Sequence, residues 1–260
     1  MNKTKKHLIV KKLDGTNLQD VMSLQSKIIE GLHPDEQHFI LHRTAADYMK
    51  SLNGTSSNML GVFDAGELIA QIVYETPQNS DERSMPEFKS DIANENLVVY
   101  EAILVDPSYR GSGLMKKMLD HIEANEIDEN RTHSIIQIAV DNPASWINAL
   151  HHGMCITKVD CDPSDGCKVV YLEKDIKSNE APNPLQANAQ TYNMYLGENI
   201  HKKIPTLFTK MQHLIDKGYK GVRLDKCTQN LVWQKEQTPV NIIDFSFIAS
   251  YKKAAGFVVK

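Results

Sequence analysis

Residues 98–123 read VVYEAILVDPSYRGSGLMKKMLDHIE, and this stretch decides what the chain folds into. Residues 97–105 are almost all apolar and rich in β-branched side chains, the pattern of a strand buried on both faces. Asp106-Pro107 stops that strand, because proline offers no N–H to a ladder. Leu114, Met115, Met118, Leu119 and Ile122 then recur at helical spacing. Between the two elements stands Tyr109-Arg110-Gly111-Ser112-Gly113-Leu114. Glycines at such a junction let backbone N–H groups come close to a ligand, and the helix N-terminus adds partial positive charge. Arg110 can add a full charge at the same place. The turn therefore suits a pyrophosphate. It has neither the G-x-G-x-x-G of a dinucleotide-binding fold nor the Lys-Ser/Thr of a P-loop.

Upstream, residues 7–13 read as a first strand closed by Asp14-Gly15, with Thr16 as the helix cap. Leu18, Val21, Met22, Leu24, Ile28 and Ile29 predict a helix over 17–30, and residues 44–52 a shorter one. Residues 59–63 and 68–74 flank Asp64-Ala65-Gly66-Glu67, a hairpin signal. Residues 76–96 are polar, acidic and broken by proline, a long loop. Downstream come a strand over 134–140, a helix over 143–152 ended by Gly153, and a hairpin of 154–159 with 168–172. The expected order is β-α-α-β-β-β-α-β-α-β-β. Residues 177–187 carry two prolines among polar residues, a linker composition. Beyond them a helix is expected over 205–217, and strands over 221–224, 231–234 and 240–248. This divides the chain into a domain over 1–176, a linker over 177–187 and a smaller C-terminal α+β extension over 188–260.

The 260 residues are 41% hydrophobic and 24% charged, enough for a normal core. A net charge of -4 argues against broad binding to nucleic acid, which needs clustered Lys and Arg. Cys155, Cys161, Cys167 and Cys227 form no C-x-x-C pair and read as reduced thiols. The N-terminal apolar run, Leu8-Ile9-Val10, is shorter than a secretory core, and no stretch has the length of a membrane span. The expectation is a soluble, cytoplasmic protein with no nucleic-acid or membrane partner.

The sequence V-D-P-x-Y-R-G-x-G-L over 105–114 resembles the acetyl-CoA signature R/Q-x-x-G-x-G/A of the GNAT N-acetyltransferase superfamily. Asp141-Asn142-Pro143-Ala144-Ser145 followed by a short helix and Gly153-Met154 is similar to the family's N-P-A-S…G-F segment, at the family's spacing. The element order over roughly residues 5–175 matches that family's fold. The resemblance implies an α/β (α+β) architecture, a mixed central sheet flanked by helices. It implies transfer of acetyl from acetyl-CoA to a primary amine, by direct attack in a ternary complex. Backbone groups of Ile103, Leu104 and Val105 would pair with the pantetheine arm. Amides of Arg110, Gly111, Ser112, Gly113, Leu114 and Met115 would cradle the pyrophosphate, and Asn142 would hydrogen-bond the pantetheine. Glu101 matches the carboxylate that takes the acceptor's proton, a step needed because an alkylammonium has a pKa of about 10.4. A backbone amide near the point where the central strands separate would stabilise the developing oxyanion.

The chain departs from the family pattern in two places. The last glycine or alanine of the signature is Met115, which predicts a bulkier turn. The tyrosine that commonly protonates the leaving thiolate is Ala149, and Ser145, His151, Cys155 and Tyr171 stand nearby in sequence as other candidates. Several readings stay open. Glu101 is a proton acceptor or a structurally paired carboxylate. Asn142 binds the cofactor and caps the helix at Pro143, or only caps it. His33, His38 and His42 lack the spacing and fourth ligand of a zinc site, so no metal is expected. The acidic run over 81–95 recruits a cationic amine or is simply solvated. Trp146 and Trp233 read as packing anchors. The acceptor is a small-molecule or protein amine, and the C-terminal residues are a lid, a homodimer contact or a partner site. The rival to an enzyme is a catalytically weak acyl-CoA-binding sensor or scaffold.

Overall fold

Asp14 opens the first helical segment with its side chain, which accepts the Thr16 N–H at 2.8 Å, so the cap is Asp14 and not Thr16. A short turn leads into α1 (Leu18–Glu30), whose buried stripe is Val21, Leu24, Gln25 and Ile28. Thr44 caps α2 (Ala45–Asn53) in a reciprocal capping box with Asp47. β1 (Ile9–Lys12) precedes these helices, and β2 (Ser57–Asp64) and β3 (Glu67–Glu75) follow as a hairpin. Its turn puts Ala65 and Gly66 at φ 49° and 88°, the geometry that matches strand twist. Then come β4 (Leu97–Val105), α3 (Leu114–Asn125), β5 (His133–Ala139), α4 (Pro143–His151), β6 (Cys155–Cys161) and β7 (Lys168–Asp175). This is the element order expected from the sequence. β8 (Gln190–Tyr195), α5 (Ile204–Asp216), β9 (Lys220–Asp225) and β10 (Asn230–Lys235) complete it.

The structure is a computed structural model that describes residues 8–40, 42–54, 57–78, 92–163, 165–177, 189–196 and 204–235. The expected strand over 240–248 and nearly all of the expected linker lie outside the described residues. Among the described residues the strands form one sheet in the order β1-β2-β3-β4-β5-β7-β6-β9-β10-β8. β4 and β5 are parallel, and every other neighbour pair in this order is antiparallel. β9 meets β6 at one pair, Ile156 with Gly221. A Cβ on Gly221 would stand 3.2 Å from the Cβ of Ile156, so glycine permits that approach.

α1 and α2 cover one face over β1 to β4, packing Leu24, Ile28, Tyr48 and Leu52 on Met59, Val73 and Leu104. α3, α4 and α5 cover the other, where Met118, Trp146 and Met211 join Val98, Ile156 and Trp233 in one apolar cluster. The C-terminal strands thus share this core with the strands before residue 176. Both tryptophans are fully buried there. β8 was not expected: five of its six residues are exposed and only Met194 is buried, so its sequence shows no strand alternation.

One buried charge fixes the far end of β4. Arg131 is 1% exposed. Its Nη1 donates to the carbonyls of Pro77, Asn94 and Leu97 at 2.7–2.8 Å, and Nη2 to that of Thr76 at 3.2 Å. It ties together the two limbs of the long β3–β4 connection. Residues 79–91 of that connection, most of the acidic run, lie outside the described residues. Among the described residues no helix is long and apolar enough to cross a membrane.

Candidate active site

β4 pairs with β3 through residues 99–105, but with β5 only from Leu97 to Tyr100. Beyond Ile136, β5 continues on β7 alone. The two parallel strands therefore part at Tyr100. From Glu101 to Val105, the edge of β4 turned toward β5 has no strand partner among the described residues. Backbone N–H and C=O groups need partners. A cleft between two strands is where an extended ligand with its own amides can pair as an added strand would. Ile103, Leu104 and Val105 lie in this stretch, with Leu104 packed toward α1 and α2 and the other two toward α3.

The strands part at an irregularity in β4. Val73 of β3 pairs with Ala102 and Tyr74 with Tyr100, so Glu101 is the extra residue of a β-bulge. Tyr100 and Glu101 point to opposite faces, as strand neighbours do, and the bulge leaves Glu101 and Ala102 on the same one. Tyr100 donates its hydroxyl to Glu123 Oε1 on α3 at 3.1 Å. Glu101 accepts at Oε2 from Arg43 Nη2, on the α1–α2 side.

At the end of β4 the chain turns through Arg110, Gly111, Ser112 and Gly113, all exposed. Gly111 and Gly113 adopt φ of 72° and 78°, and a Cβ on either would meet nothing within 4 Å, so the space above the turn is open. The first helical bond of α3 runs from Lys117 N–H to Gly113 C=O, leaving the N–H groups of Leu114, Met115 and Lys116 without intrahelical partners. Open amides, a helix N-terminus and the exposed Arg110, Lys116 and Lys117 suit a pyrophosphate, so the residues present fit the phosphate end of coenzyme A. Leu114 and Met115 direct their side chains into the core. The bulk of Met115 is thus in the core and not in the turn, contrary to the expectation from the signature.

The back of the turn is braced. Asp106, 2% exposed, accepts from the Ser108 N–H at 2.8 Å, the Ser108 hydroxyl at 2.6 Å and Lys27 Nζ at 2.6 Å. Burial would raise its pKa, but the Lys27 ammonium and the Ser108 donors outweigh this and hold it at about 2. Tyr109 donates its hydroxyl to Asp64 at 2.8 Å. Across the cleft, Asn142 caps α4 through the Ser145 N–H at 3.3 Å.

On the α1–α2 face a buried polar chain stands behind Glu101. Gln25, inside the apolar stripe of α1, donates to the Arg43 carbonyl at 2.9 Å and accepts from the Arg43 N–H at 3.0 Å. Tyr48 donates to Gln25 at 2.8 Å and accepts from Gln71 at 3.1 Å. Burial pushes the Tyr48 phenol up to about 12, only partly opposed by Arg43 and Gln71.

Sequence reasoning missed Arg43. A glutamine in an apolar helix stripe and another in an apolar strand were the available signals, since buried amides mark hydrogen-bonded networks. Ala149 is fully buried in the core. Of the other acid candidates, Tyr171 lies with Leu97, Val99 and Ile135 on the face away from α4, while Ser145, His151 and Cys155 are half-buried. His33 and His42 lie in the connection between α1 and α2, and nothing is described of the His38 side chain. All four cysteines are free thiols.

No curated protein matches this sequence. Among solved structures, the ribosomal-protein-S18-alanine N-acetyltransferase from Escherichia coli is similar at 12% identity and TM-score 0.50, over 66% of this chain and 96% of that one. Arabidopsis thaliana NAA60, solved in complex with acetyl-CoA, is similar at 10% identity and TM-score 0.50, over 66% of this chain and 99% of that one. At such identities the likeness speaks for the fold: a mixed sheet flanked by helices, as the sequence led us to expect. Residues 18–153, just over half the chain, match the Acetyltransferase (GNAT) family. The parted strands and the amide-rich turn fall within that span, and the chain belongs to the GNAT acetyltransferase family, whose acyl donor is acetyl-CoA.

Proposed function

We propose that this protein transfers the acetyl group of acetyl-CoA directly to a primary amine, within a ternary complex, and that the machinery lies in its first 176 residues. The observation that carries this reading is the single stretch of β4 that combines an unpaired edge, a bulged carboxylate and an amide-rich turn. Amides of Gly111, Gly113, Leu114 and Met115 hold the pyrophosphate, those of Arg110 and Ser112 being engaged with the Pro107 and Tyr109 carbonyls at 3.3 and 3.4 Å, and the free edge at Ile103, Leu104 and Val105 pairs with the pantetheine. Asn142, already spent as an acceptor in its cap, offers its side-chain amide N–H to the same arm. Acetyl-CoA supplies the thioester. Glu101 sits on the α1–α2 side, where an amine can approach from the face opposite α3. Its Oε1 accepts the proton that an ammonium must lose before its nitrogen can form the C–N bond as the C–S bond breaks. The thiol of coenzyme A has an ordinary pKa of about 8.5, so its thiolate can leave without a fixed acid, in keeping with Ala149.

The test is calorimetric titration of acetyl-CoA, followed by thiol release with spermidine, ethanolamine, L-lysine and a peptide with a free N-terminus. Gly113→Glu places a strained side chain and a negative charge at the phosphate turn, and is expected to abolish binding. Glu101→Gln is expected to keep binding and lose turnover by roughly a hundredfold. Binding with no turnover on any amine would overturn the transferase reading in favour of a sensor or scaffold. Unimpaired binding by Gly113→Glu would overturn the cofactor site itself.

A further inference from the structure

We infer that Arg43 is a positioning residue for the transfer, acting through Glu101 and not on the substrates. This rests on the reading of Glu101 as the proton acceptor. Arg43 and Glu101 are 14% and 18% exposed, so their ion pair is shielded from the solvent that makes surface pairs loose and weak. The pair is asymmetric. Glu101 spends Oε2 on Arg43 Nη2 and keeps Oε1 for the acceptor. Among the described residues the buried Nε of Arg43 has no hydrogen-bond partner, as is also true of Arg131.

Arg43 spends its guanidinium on a single carboxylate, and its main chain shows what holds it there. Its N–H and C=O are both clamped by the Gln25 side chain. Gln25 is tied through Tyr48 to Gln71, which pairs with Leu104 across from β4. The chain of bonds starts and ends beside the strand that carries Glu101. It fixes where the guanidinium stands relative to β4, and the guanidinium fixes where the bulged carboxylate points. A bulged residue has lost its cross-strand neighbour and needs such a restraint. Misplacing a reacting group by about 1 Å costs about a hundredfold in rate.

The experiment is a double-mutant cycle between Arg43→Met and Glu101→Gln, with Arg43→Lys as the conservative variant. It uses the full chain, acetyl-CoA and the fastest amine of the panel above. Arg43→Met alone is expected to lower kcat roughly 10- to 100-fold, with KM for the amine and Kd for acetyl-CoA within about twofold. Arg43→Lys keeps a cation near Oε2 and is expected to recover part of that loss. In the Glu101→Gln background, Arg43→Met is expected to change kcat by less than about twofold, because the group it positions is already gone. A full additional loss in that background overturns the inference, as does a rise in KM with kcat unchanged, which marks an acceptor-binding arginine. If Glu101→Gln itself leaves turnover intact, the proton-acceptor reading fails, a result distinct from failure of the arginine.

Discussion

Arg131 and Arg43 are both withdrawn from water, yet they are treated in opposite ways. Arg131 reaches four main-chain carbonyls, although its Nε, like that of Arg43, has no hydrogen-bond partner among the described residues and only Asp128 3.5 Å away. Among the described residues Arg43 makes one side-chain hydrogen bond, to Glu101. The first closes a loop against the end of the sheet, and its donors are aimed wherever carbonyls happen to be. The second is aimed at one atom. The same contrast separates the two carboxylates that flank the bulge. Glu123 meets Tyr100 at 3.1 Å and His152 at 2.8 Å, together with Lys174, and has little left to offer. Glu101 keeps one oxygen. Polar groups tied to several partners hold a fold, and one tied to a single partner beside a cleft is available for chemistry.

Substitutions can break this contrast, and the largest effect is expected at Arg131. Arg131→Met removes a buried cation and strands four carbonyls, for a loss of about 3–5 kcal/mol in urea unfolding. Arg43→Met should lose less than about 1.5 kcal/mol, since one bond goes with it. Equal losses would erase the distinction. Glu101→Gln comes next, with turnover down roughly a hundredfold, about 2.7 kcal/mol in activation free energy, and only a modest fall in melting temperature, since glutamine still accepts from Arg43 without the charge. Glu123→Gln should do the reverse. Burial raises the Glu123 pKa, but His152 and Lys174 outweigh it and leave the carboxyl below its ordinary 4.5. A carboxyl depressed in the folded state contributes stability above its unfolded pKa, and that contribution disappears as pH falls through the folded value. Melts of wild type and Glu123→Gln should therefore differ by roughly 2 kcal/mol near neutrality and converge on acidification below about pH 4. A gap that persists in acid would mean that the charge of Glu123 is not what stabilises the cluster.

The β4–α3 junction was legible in the sequence because its causes are local. Proline ends a strand, glycine permits positive φ, and a helix start leaves free amides wherever it occurs. The element order followed from hydrophobic periodicity for the same reason. The parting of β4 from β5 was not legible, since it depends on β7 pairing with all of β5 while β4 pairs with only part of it. The bulge at Glu101 is a matter of register with β3, and no residue in 98–105 announces it. Arg43 lies 58 residues before its partner, in a connection that looks like an ordinary polar loop. β8 was hidden because an edge strand with one buried side chain has no pattern to read. What escaped the sequence in each case is a pairing between distant segments.

The smallest expected effect tests whether the turn after β4 belongs with the self-contained regions or with the externally aimed ones. Lys27 reaches Asp106 from α1, so Lys27→Met cuts the strongest link between that helix and the turn. Lys27 is 52% exposed, and its charge is well screened. Asp106 also keeps both of its Ser108 bonds, which lie within the turn itself, and Tyr109 keeps Asp64. A turn held mostly from within should bind acetyl-CoA almost as before, with Kd raised no more than roughly threefold and less so at high salt. What should change is the acid side: without the ammonium, the Asp106 pKa moves up from about 2 toward its ordinary 3.8, and the turn loosens at a higher pH than in wild type. The folded-state value is the depressed one, so the contribution of Asp106 is complete above 3.8 and is lost on the way down to about 2. A tenfold or greater loss of affinity at neutral pH would show instead that α1 holds the turn in place, and that the C-terminal end of β4, like Glu101, depends on a partner brought from far away in the sequence.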